Sequence, residues 1–211
     1  MDKLKEYKNL YALYSKIQKK YLIVIIALFI IFLSSFALFI TDVPIGIPSL
    51  MMIMIIPAII MLILYFVMKH TAKKSLDRFT EDELNRIDQD LETTEFNEGY
   101  GVTRDAIIVV KQRLFIYPIK DLVWIYKHIT STKLYGVLTV SKASAIVIAG
   151  KDHKRYSYKT KNKSNIVEFL KFELDQYNSA IFYGYSPELD VMFRKNFNQM
   201  LSLLEEEKIN Q

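Results

Sequence analysis

Two long runs of apolar residues near the start of the chain dominate its hydrophobic pattern. Residues 21–40 contain no charged side chain, and residues 45–68 form a second uncharged run. About 20 helical residues, at ~1.5 Å rise each, reach across a hydrocarbon core of ~30 Å. Between the runs, Pro44, Gly46 and Pro48 favour a tight reversal. The pattern therefore predicts a transmembrane hairpin with spans at 21–40 and 45–68.

Basic residues flank both runs, whereas the connecting loop has none. They are Lys3, Lys5, Lys8, Lys16, Lys19 and Lys20 before the first run and Lys69, Lys73, Lys74 and Arg78 after the second. Positive residues near membrane ends stay cytoplasmic, which predicts a multi-pass protein of the cell membrane, with the bilayer as a partner and both termini cytoplasmic. A cleaved signal peptide is the competing interpretation of the first run. The apolar core of a signal peptide is usually shorter than this run, and a signal peptide is not usually followed directly by a second apolar run, as this one is.

The residues before the first run show helical periodicity. Apolar and tyrosine side chains recur every three or four positions: Leu4, Tyr7, Leu10, Tyr11, Tyr14, Ile17 and Tyr21. Residues 1–20 are therefore predicted to form an amphipathic juxtamembrane helix. It could lie on anionic lipid, or extend the first span and pack on the rest of the protein, and the sequence leaves both interpretations open.

Residues 69–99 are predicted to be a helical linker. Thr80 is followed three residues later by Glu83, which is the pattern of a capping box, and Glu81 and Asp82 suit the first turn of a helix. We expect a helix from Glu81 to about Leu91.

From Tyr100 onward, short β-branched and aromatic runs alternate with polar turns. This pattern is typical of antiparallel strands, and the short spacings argue against a parallel sheet. The seven predicted strands are 100–103, 106–111, 114–118, 122–130, 134–140, 143–149 and 155–160. A helix from about Asn165 to Asn178 follows, and its apolar stripe is wide enough to cover one sheet face or one end of a barrel.

The stretch 100–178 resembles the pleckstrin-homology-like (PH-like) domains of many small bacterial membrane proteins. The residues that carry the resemblance are Gly101-Val102-Thr103, Ile116-Tyr117-Pro118-Ile119-Lys120-Asp121-Leu122 and the closing helix. The resemblance implies a seven-stranded, partly open barrel with the helix plugging one end. Eukaryotic members usually have a tryptophan in that helix, whereas here the tryptophan is Trp124 in a strand, and the helix carries Phe169 and Phe172.

Residues 179–211 are predicted to be a C-terminal extension. Ser186 is a good N-cap and Pro187 suits the first helical turn, so a helix is expected over 187–207. Its apolar side chains lie largely along one side, and we expect that side to pack on the preceding domain.

Charge and composition narrow the possible chemistry. Residues 69–211 carry 22 basic and 20 acidic side chains, which argues against a nucleic-acid partner. There is no cysteine, and His70, His128 and His153 lack metal-ligand spacing. No catalytic or phosphate-binding motif occurs. We therefore predict no enzyme activity, no catalytic residues, no cofactor and no metal.

One basic cluster is the candidate binding surface. It consists of Lys151, Lys154, Arg155, Lys159, Lys161 and Lys163. Alternate residues of a strand share a face, so Arg155 and Lys159 are expected on one side and Tyr156 and Tyr158 on the other. The cluster could contact anionic lipid headgroups or a membrane protein partner, or it could be an ordinary solvated strand face.

Taken together, these patterns predict an α+β membrane protein, in which the transmembrane hairpin precedes a cytoplasmic seven-stranded antiparallel PH-like barrel with C-terminal helices. The predicted function is that of a membrane-anchored, non-enzymatic binding or scaffolding module at the cytoplasmic face. The alternative is an accessory subunit of a larger membrane transport or secretion complex, because Ser34, Ser35 and Ala37 would allow a neighbouring helix to approach closely.

Overall fold

The computed structural model describes residues 2–40, 47–111, 113–134, 138–161, 165–177 and 180–209. Its chain divides into two compact units. The first comprises Met1–Asp77 with Val110–Phe115, and the second comprises Arg78–Val109 with Ile116–Gln211.

Helices make up most of the first unit. They are α1 (Asp2–Lys5), α2 (Lys8–Ile40) and α3 (Ile47–Leu76). The periodic face seen in the sequence is buried at Leu4, Tyr7, Leu10, Tyr14 and Ile17. Gln18 Nε2 donates to Tyr65 Oη over 2.7 Å, so a polar contact joins α2 to α3.

Among the residues that the structure describes, no helix has both the length and the apolar character needed to cross a membrane. This finding contradicts the predicted spans at 21–40 and 45–68 and the multi-pass localisation based on them. The predicted connecting loop lies partly outside the described residues, and Ile47 to Ser49 already belong to α3.

Helix α4 (Glu81–Asp90) opens the second unit and confirms the capping box. Thr80 Oγ1 accepts from the Glu83 backbone N–H over 3.3 Å, and the Glu83 carboxylate accepts from the Thr80 N–H over 2.8 Å. Arg86 then donates to both carboxylate oxygens of Asp105, over 2.7 and 3.2 Å. These contacts fix α4 to the turn before the second strand.

Among the described residues, seven strands form two sheets. The strands are β1 (Tyr100–Val102), β2 (Ala106–Val110), β3 (Leu114–Pro118), β4 (Leu122–Leu134), β5 (Leu138–Gly150), β6 (Arg155–Thr160) and β7 (Phe182–Tyr183). The three-stranded sheet has the order β1-β2-β3, and the four-stranded sheet has the order β6-β5-β4-β7. A 3₁₀ turn, Ile119–Asp121, leads from β3 into β4.

The predicted seven-stranded antiparallel barrel is therefore wrong, and the fold is α+β with two separate sheets. Strand β7 follows a helix and pairs in parallel with β4, through Trp124 and Ile125. A strand of two residues carries no periodicity that a sequence pattern could show. The first three strands and β6 lie within a residue of their predicted bounds.

Strands β4 and β5 form one long antiparallel hairpin. The sequence pattern predicted three strands here, 122–130, 134–140 and 143–149. The breaks that this predicts at 131–133 and 141–142 are wrong, because those residues continue the ladder, with Ser131 opposite Lys142 and Thr132 opposite Ser141. Polar residues fit here because both faces of this stretch are exposed. Strand β6 pairs only with residues 144–149 of β5, so the outer part of the hairpin has no third described strand beside it.

Three further helices follow in the part of the chain that the structure describes. They are α5 (Ile166–Leu174), α6 (Pro187–Lys195) and α7 (Phe197–Ile209). Helix α5 buries Ile166, Leu170 and Leu174, whereas Phe172, expected in the covering stripe, is 70% exposed. Ser186 caps α6 as predicted, its hydroxyl accepting from the Leu189 N–H over 3.3 Å. The single helix predicted over 187–207 is broken at Asn196, where φ is −130° and ψ is 47°.

One cluster of buried hydrophobic residues lies between the β4–β5 sheet and the last two helices. Its buried members are Val123, Trp124, Tyr126, Val147, Ala149, Ala180, Phe193, Met200 and Leu204. Trp124 is fully buried, stacks on Tyr126 with the ring centroids 4.0 Å apart, and donates to the Gly184 carbonyl over 2.7 Å. The apolar sides of α6 and α7 therefore pack on this sheet.

Candidate binding surface

The basic cluster is built around the turn between β5 and β6. The Gly150 N–H donates to the Lys154 carbonyl over 3.2 Å, and the His153 N–H donates to the Gly150 carbonyl over 3.0 Å. His153 has a φ of 56°, in the left-handed region that side chains other than glycine seldom adopt. The Lys151 N–H donates to the Asp121 carbonyl over 2.8 Å. Backbone hydrogen bonds thus fix residues 150–154 in one conformation.

Asp152 anchors one side of this turn. Its Oδ2 accepts from Tyr156 Oη over 2.6 Å and from Arg78 Nη2 over 3.0 Å, while its Oδ1 accepts from Tyr117 Oη over 3.2 Å. Arg78 also donates to Tyr156 Oη over 2.7 Å, and its guanidinium carbon lies 4.7 Å from the centre of the Tyr117 ring. Partial burial would raise the pKa of Asp152, but the hydrogen bonds from Tyr156 and Arg78 outweigh it, so the pKa is lowered.

Tyr117 is fully buried beside this carboxylate. Burial, and then the negative charge of Asp152, raise the pKa of its phenol well above the ordinary value, so the group remains a neutral donor. The ring packs directly over Gly150, where a Cβ atom would lie only 1.7 Å from Tyr117 Oη. Gly150 is therefore needed for this close approach.

His153 anchors the other side of the turn. Its ring stacks on Phe197, with the centroids 4.4 Å apart and the planes 18° from parallel. Its Nε2 lies within hydrogen-bonding reach of the Phe193 carbonyl. A carbonyl only accepts, so Nε2 carries the proton in this contact. The histidine thereby ties the turn to α6 and α7.

The lysine side chains of the cluster lie at the surface. Lys151, Lys154, Lys159 and Lys161 are exposed. Among the described residues, none of their ammonium groups has a hydrogen bond or an ion pair. Lys163 lies outside the described residues. Four positive charges therefore face solvent from a fixed turn and the strand that follows it.

Arg155 is placed differently from the lysines. Its Nη1 contacts Asp190 Oδ1 over 2.7 Å, and its guanidinium lies 4.6 Å from the Phe193 ring centre and 5.5 Å from that of Trp124. Asp190 Oδ2 also contacts Arg194 over 2.6 Å. Arg155 thus joins β6 to α6 and belongs to the packing of the domain.

The alternation predicted for β6 is seen over residues 157–159, whereas Arg155 and Tyr156 are both half-buried. Ser157 and Lys159 are exposed, Tyr158 is buried, and Tyr156 is half-buried in the Asp152 network. Ammonium groups are donors only, so this surface can attract and hold anions. Over the described residues, no three His, Asp or Glu side chains are grouped so that they could hold a metal ion.

The anchors of the turn were missed in the sequence. Arg78 lies 74 residues from Asp152, and Tyr117 lies 35 residues from it. The local signal was limited to the break between the strands predicted at 143–149 and 155–160. Its partners could not be found from spacing alone.

The comparisons with known proteins give one match. Residues 68–193, more than half of the chain, match a family model described as a domain of unknown function (DUF6709). No curated protein and no solved structure matches the chain. The resemblance to PH-like domains therefore stays a prediction.

Proposed function

The chain belongs to the DUF6709 family of domains of unknown function, and from its own geometry we propose that it is a non-enzymatic binding module that docks an anionic partner. The observation that carries this proposal is the set of four exposed lysines, Lys151, Lys154, Lys159 and Lys161, without a carboxylate partner among the described residues. Surface cations usually have nearby counter-charges, so an uncompensated group favours anions.

The way the turn is held supports the same function. Asp152 and His153 both make side-chain contacts with other parts of the domain, whereas the ammonium groups of Lys151 and Lys154 on either side of them have no hydrogen bond or ion pair among the described residues. A binding surface that is already ordered loses less conformational entropy when a partner arrives. The anchored turn therefore acts as a fixed support for the flanking charges.

Charge removal tests this proposal. Near an anionic surface each basic side chain contributes about 1 kcal/mol, so the double variant Lys154→Gln/Lys159→Gln should weaken binding roughly thirtyfold. The matched control is Lys8→Gln/Lys16→Gln, which removes two exposed charges from α2. Binding would be measured by co-sedimentation with phosphatidylglycerol vesicles and by fluorescence anisotropy with a labelled polyglutamate peptide.

The two probes distinguish the source of the anion. Binding to vesicles alone indicates lipid headgroups, and binding to the peptide alone indicates an acidic protein. Equal loss in the test and control variants would refute a localised surface, as would the absence of binding to both probes at low salt.

A second candidate function is that of an accessory subunit in a larger transport or secretion assembly. The observation that favours it is the apolar surface of α2 and α3, where large side chains such as Ile23, Phe29, Ile63 and Phe66 are about half or more exposed. Extended apolar patches mark interaction surfaces. Cross-linking in cells, followed by recovery of one specific integral partner, would support this candidate.

A further inference from the structure

The apolar surface of α2 and α3 lies entirely in the first unit and contains no residue of the lysine surface. Among the described residues, fifteen large apolar side chains of these two helices are between 42% and 66% exposed. A free side chain of this size has an accessible area of about 100 Å², so at these exposures the fifteen present roughly 800 Å². Each partner in a standard protein–protein interface also contributes about 800 Å². This surface is therefore large enough for a stable interface.

Each of the two helices carries a stripe of exposed apolar residues with the spacing of a heptad repeat. The stripes consist of Leu22, Ile26, Phe29 and Leu33 in α2, and of Ile59, Leu62 and Phe66 in α3. Alternating steps of three and four residues keep such positions on one side of a helix. Side chains with this spacing interdigitate with those of neighbouring helices in helix bundles. The two stripes are therefore suited to packing against further helices.

A second copy of the chain supplies helices of the required kind. Helices α2 and α3 contact each other, but their stripes stay exposed in the part of the chain that the structure describes. Two copies of this helix pair bring together four helices with the same stripes, which is the number that encloses the core of a four-helix bundle. Two copies that use the same surface are related by a two-fold axis, the commonest symmetry of protein oligomers.

Basic residues determine how the two copies are oriented. The hydrogen bond from Gln18 to Tyr65 holds the lysine-bearing segment of α2 beside that of α3. The lysines of these segments are Lys16, Lys19 and Lys20 in α2, and Lys69, Lys73 and Lys74 in α3. Two copies packed in the same direction would bring all of these charges to one end of the bundle, where they repel each other. Opposite directions keep the two groups of lysines apart, so the antiparallel arrangement has the lower energy.

We infer that two copies of this chain associate through α2 and α3 as an antiparallel four-helix bundle, with the two-fold axis perpendicular to the helices. Phe29 and Phe66 become buried between the copies, and the two basic segments lie at opposite ends of the bundle. The partner at this surface is therefore a second copy of the chain, rather than the integral partner of the second candidate function. Because the lysine surface takes no part in this contact, either proposal can fail while the other stands.

Light scattering measures the association directly. We expect the full-length chain at micromolar concentration to have twice the mass of one 24.8 kDa chain. Phe29→Asp places a charge in the contact and should weaken association by about tenfold or more, because an unpaired charge is costly to bury. Its matched control is Phe172→Asp, which places the same charge at a 70% exposed residue of α5 and should leave the mass unchanged. The mass of a single chain, a mixture of larger species or equal effects of the two variants would overturn the inference.

Cross-linking tests the orientation and does not depend on the folding of the Phe29→Asp variant. The chain has no cysteine, so a single introduced cysteine can be joined only to the same position of another copy. Phe29 lies near the middle of the uncharged run 21–40, so Phe29→Cys should give a covalent dimer with a short bismaleimide. Lys16→Cys, in the basic segment of α2, should give none. A covalent dimer through Lys16→Cys would refute the antiparallel orientation, and the lack of one through Phe29→Cys would refute the pairing itself.

Discussion

Adding a single methyl group at Gly150 tests whether the turn that carries the basic surface is held by tertiary packing. In Gly150→Ala the new Cβ would stand 1.7 Å from Tyr117 Oη and 2.4 Å from Tyr117 Cζ. Carbon atoms in contact are normally about 3.5–4.0 Å apart, so the ring must retreat by roughly 1.5 Å. The backbone of Gly150 does not resist the change, since its φ is not positive.

The size of the effect follows from what holds Tyr117. The ring is fully buried, lies under the Arg78 guanidinium and donates to Asp152. Overpacking a well-filled site costs about 1–3 kcal/mol, and the lost hydrogen bond adds about 1 kcal/mol. We expect Gly150→Ala to lower the free energy of unfolding by about 3 kcal/mol.

Urea denaturation, followed by the fluorescence of Trp124, measures this change through the transition midpoint. Gly184→Ala is a useful control, because a Cβ there meets nothing within 4 Å but the φ of +80° strains the backbone. The Gly184→Ala substitution should lower the free energy of unfolding by only about 1–2 kcal/mol. In the Tyr117→Ala variant the ring is absent from above Gly150. Adding Gly150→Ala to that variant should therefore lower the free energy of unfolding by less than about 0.5 kcal/mol.

An unchanged midpoint in Gly150→Ala would refute the packing argument. A full additional loss in the Tyr117→Ala background would refute it as well, because the clash could not then involve the tyrosine ring.

Two further predictions concern the charged contacts. Asp152→Asn should cost about 1 kcal/mol near pH 7, a value kept small by the partial exposure of the carboxylate. The folded pKa of Asp152 is depressed, so its stabilisation is present above the unfolded pKa of about 3.9 and is lost as pH falls through the folded value. Urea midpoints of the two proteins should therefore converge at low pH, and a constant gap would contradict this. Asp190→Ala leaves Arg155 unpaired against the core and should cost about 3 kcal/mol, whereas Arg194→Ala removes a side chain that is 65% exposed and should cost less than about 1 kcal/mol. Similar losses from the two variants, measured by urea denaturation, would contradict the central place of the Arg155 contact.

The parts of the fold that depend on neighbouring residues could be predicted from the sequence. Thr80 and Ser186 start helices through contacts only three residues long, and the buried face of α2 follows from a simple repeat. Strands β2, β3 and β6 are bounded by turns and have strong β-forming residues. In these cases the local free energy and the tertiary structure favour the same conformation.

Other features depended on distant partners and could not be predicted. Thr130 and Ser141 are polar residues of types that are common in turns, but their pairing across the β4–β5 hairpin keeps them in strands. Strand β7 forms through its parallel pairing with the edge of β4. In the candidate surface, the lysines could be identified from composition, but the separate role of Arg155 required the position of Asp190, 35 residues later. The membrane spans were predicted from apolar length alone, and the described helices do not support them.

The length of the β4–β5 hairpin has a consequence for how the chain loses structure. Beyond Tyr126 and Ser144, no third strand among the described residues pairs with either of the two, and Ile129 is exposed. A two-stranded ribbon is only marginally stable in water. The hydrogen-bonded pairs of this ribbon can therefore open and re-form one after another in the direction of Tyr126 and Ser144, while the buried residues around Trp124 remain packed. Local opening of this ribbon and global unfolding of the protein are thus separate events, although both involve β4 and β5.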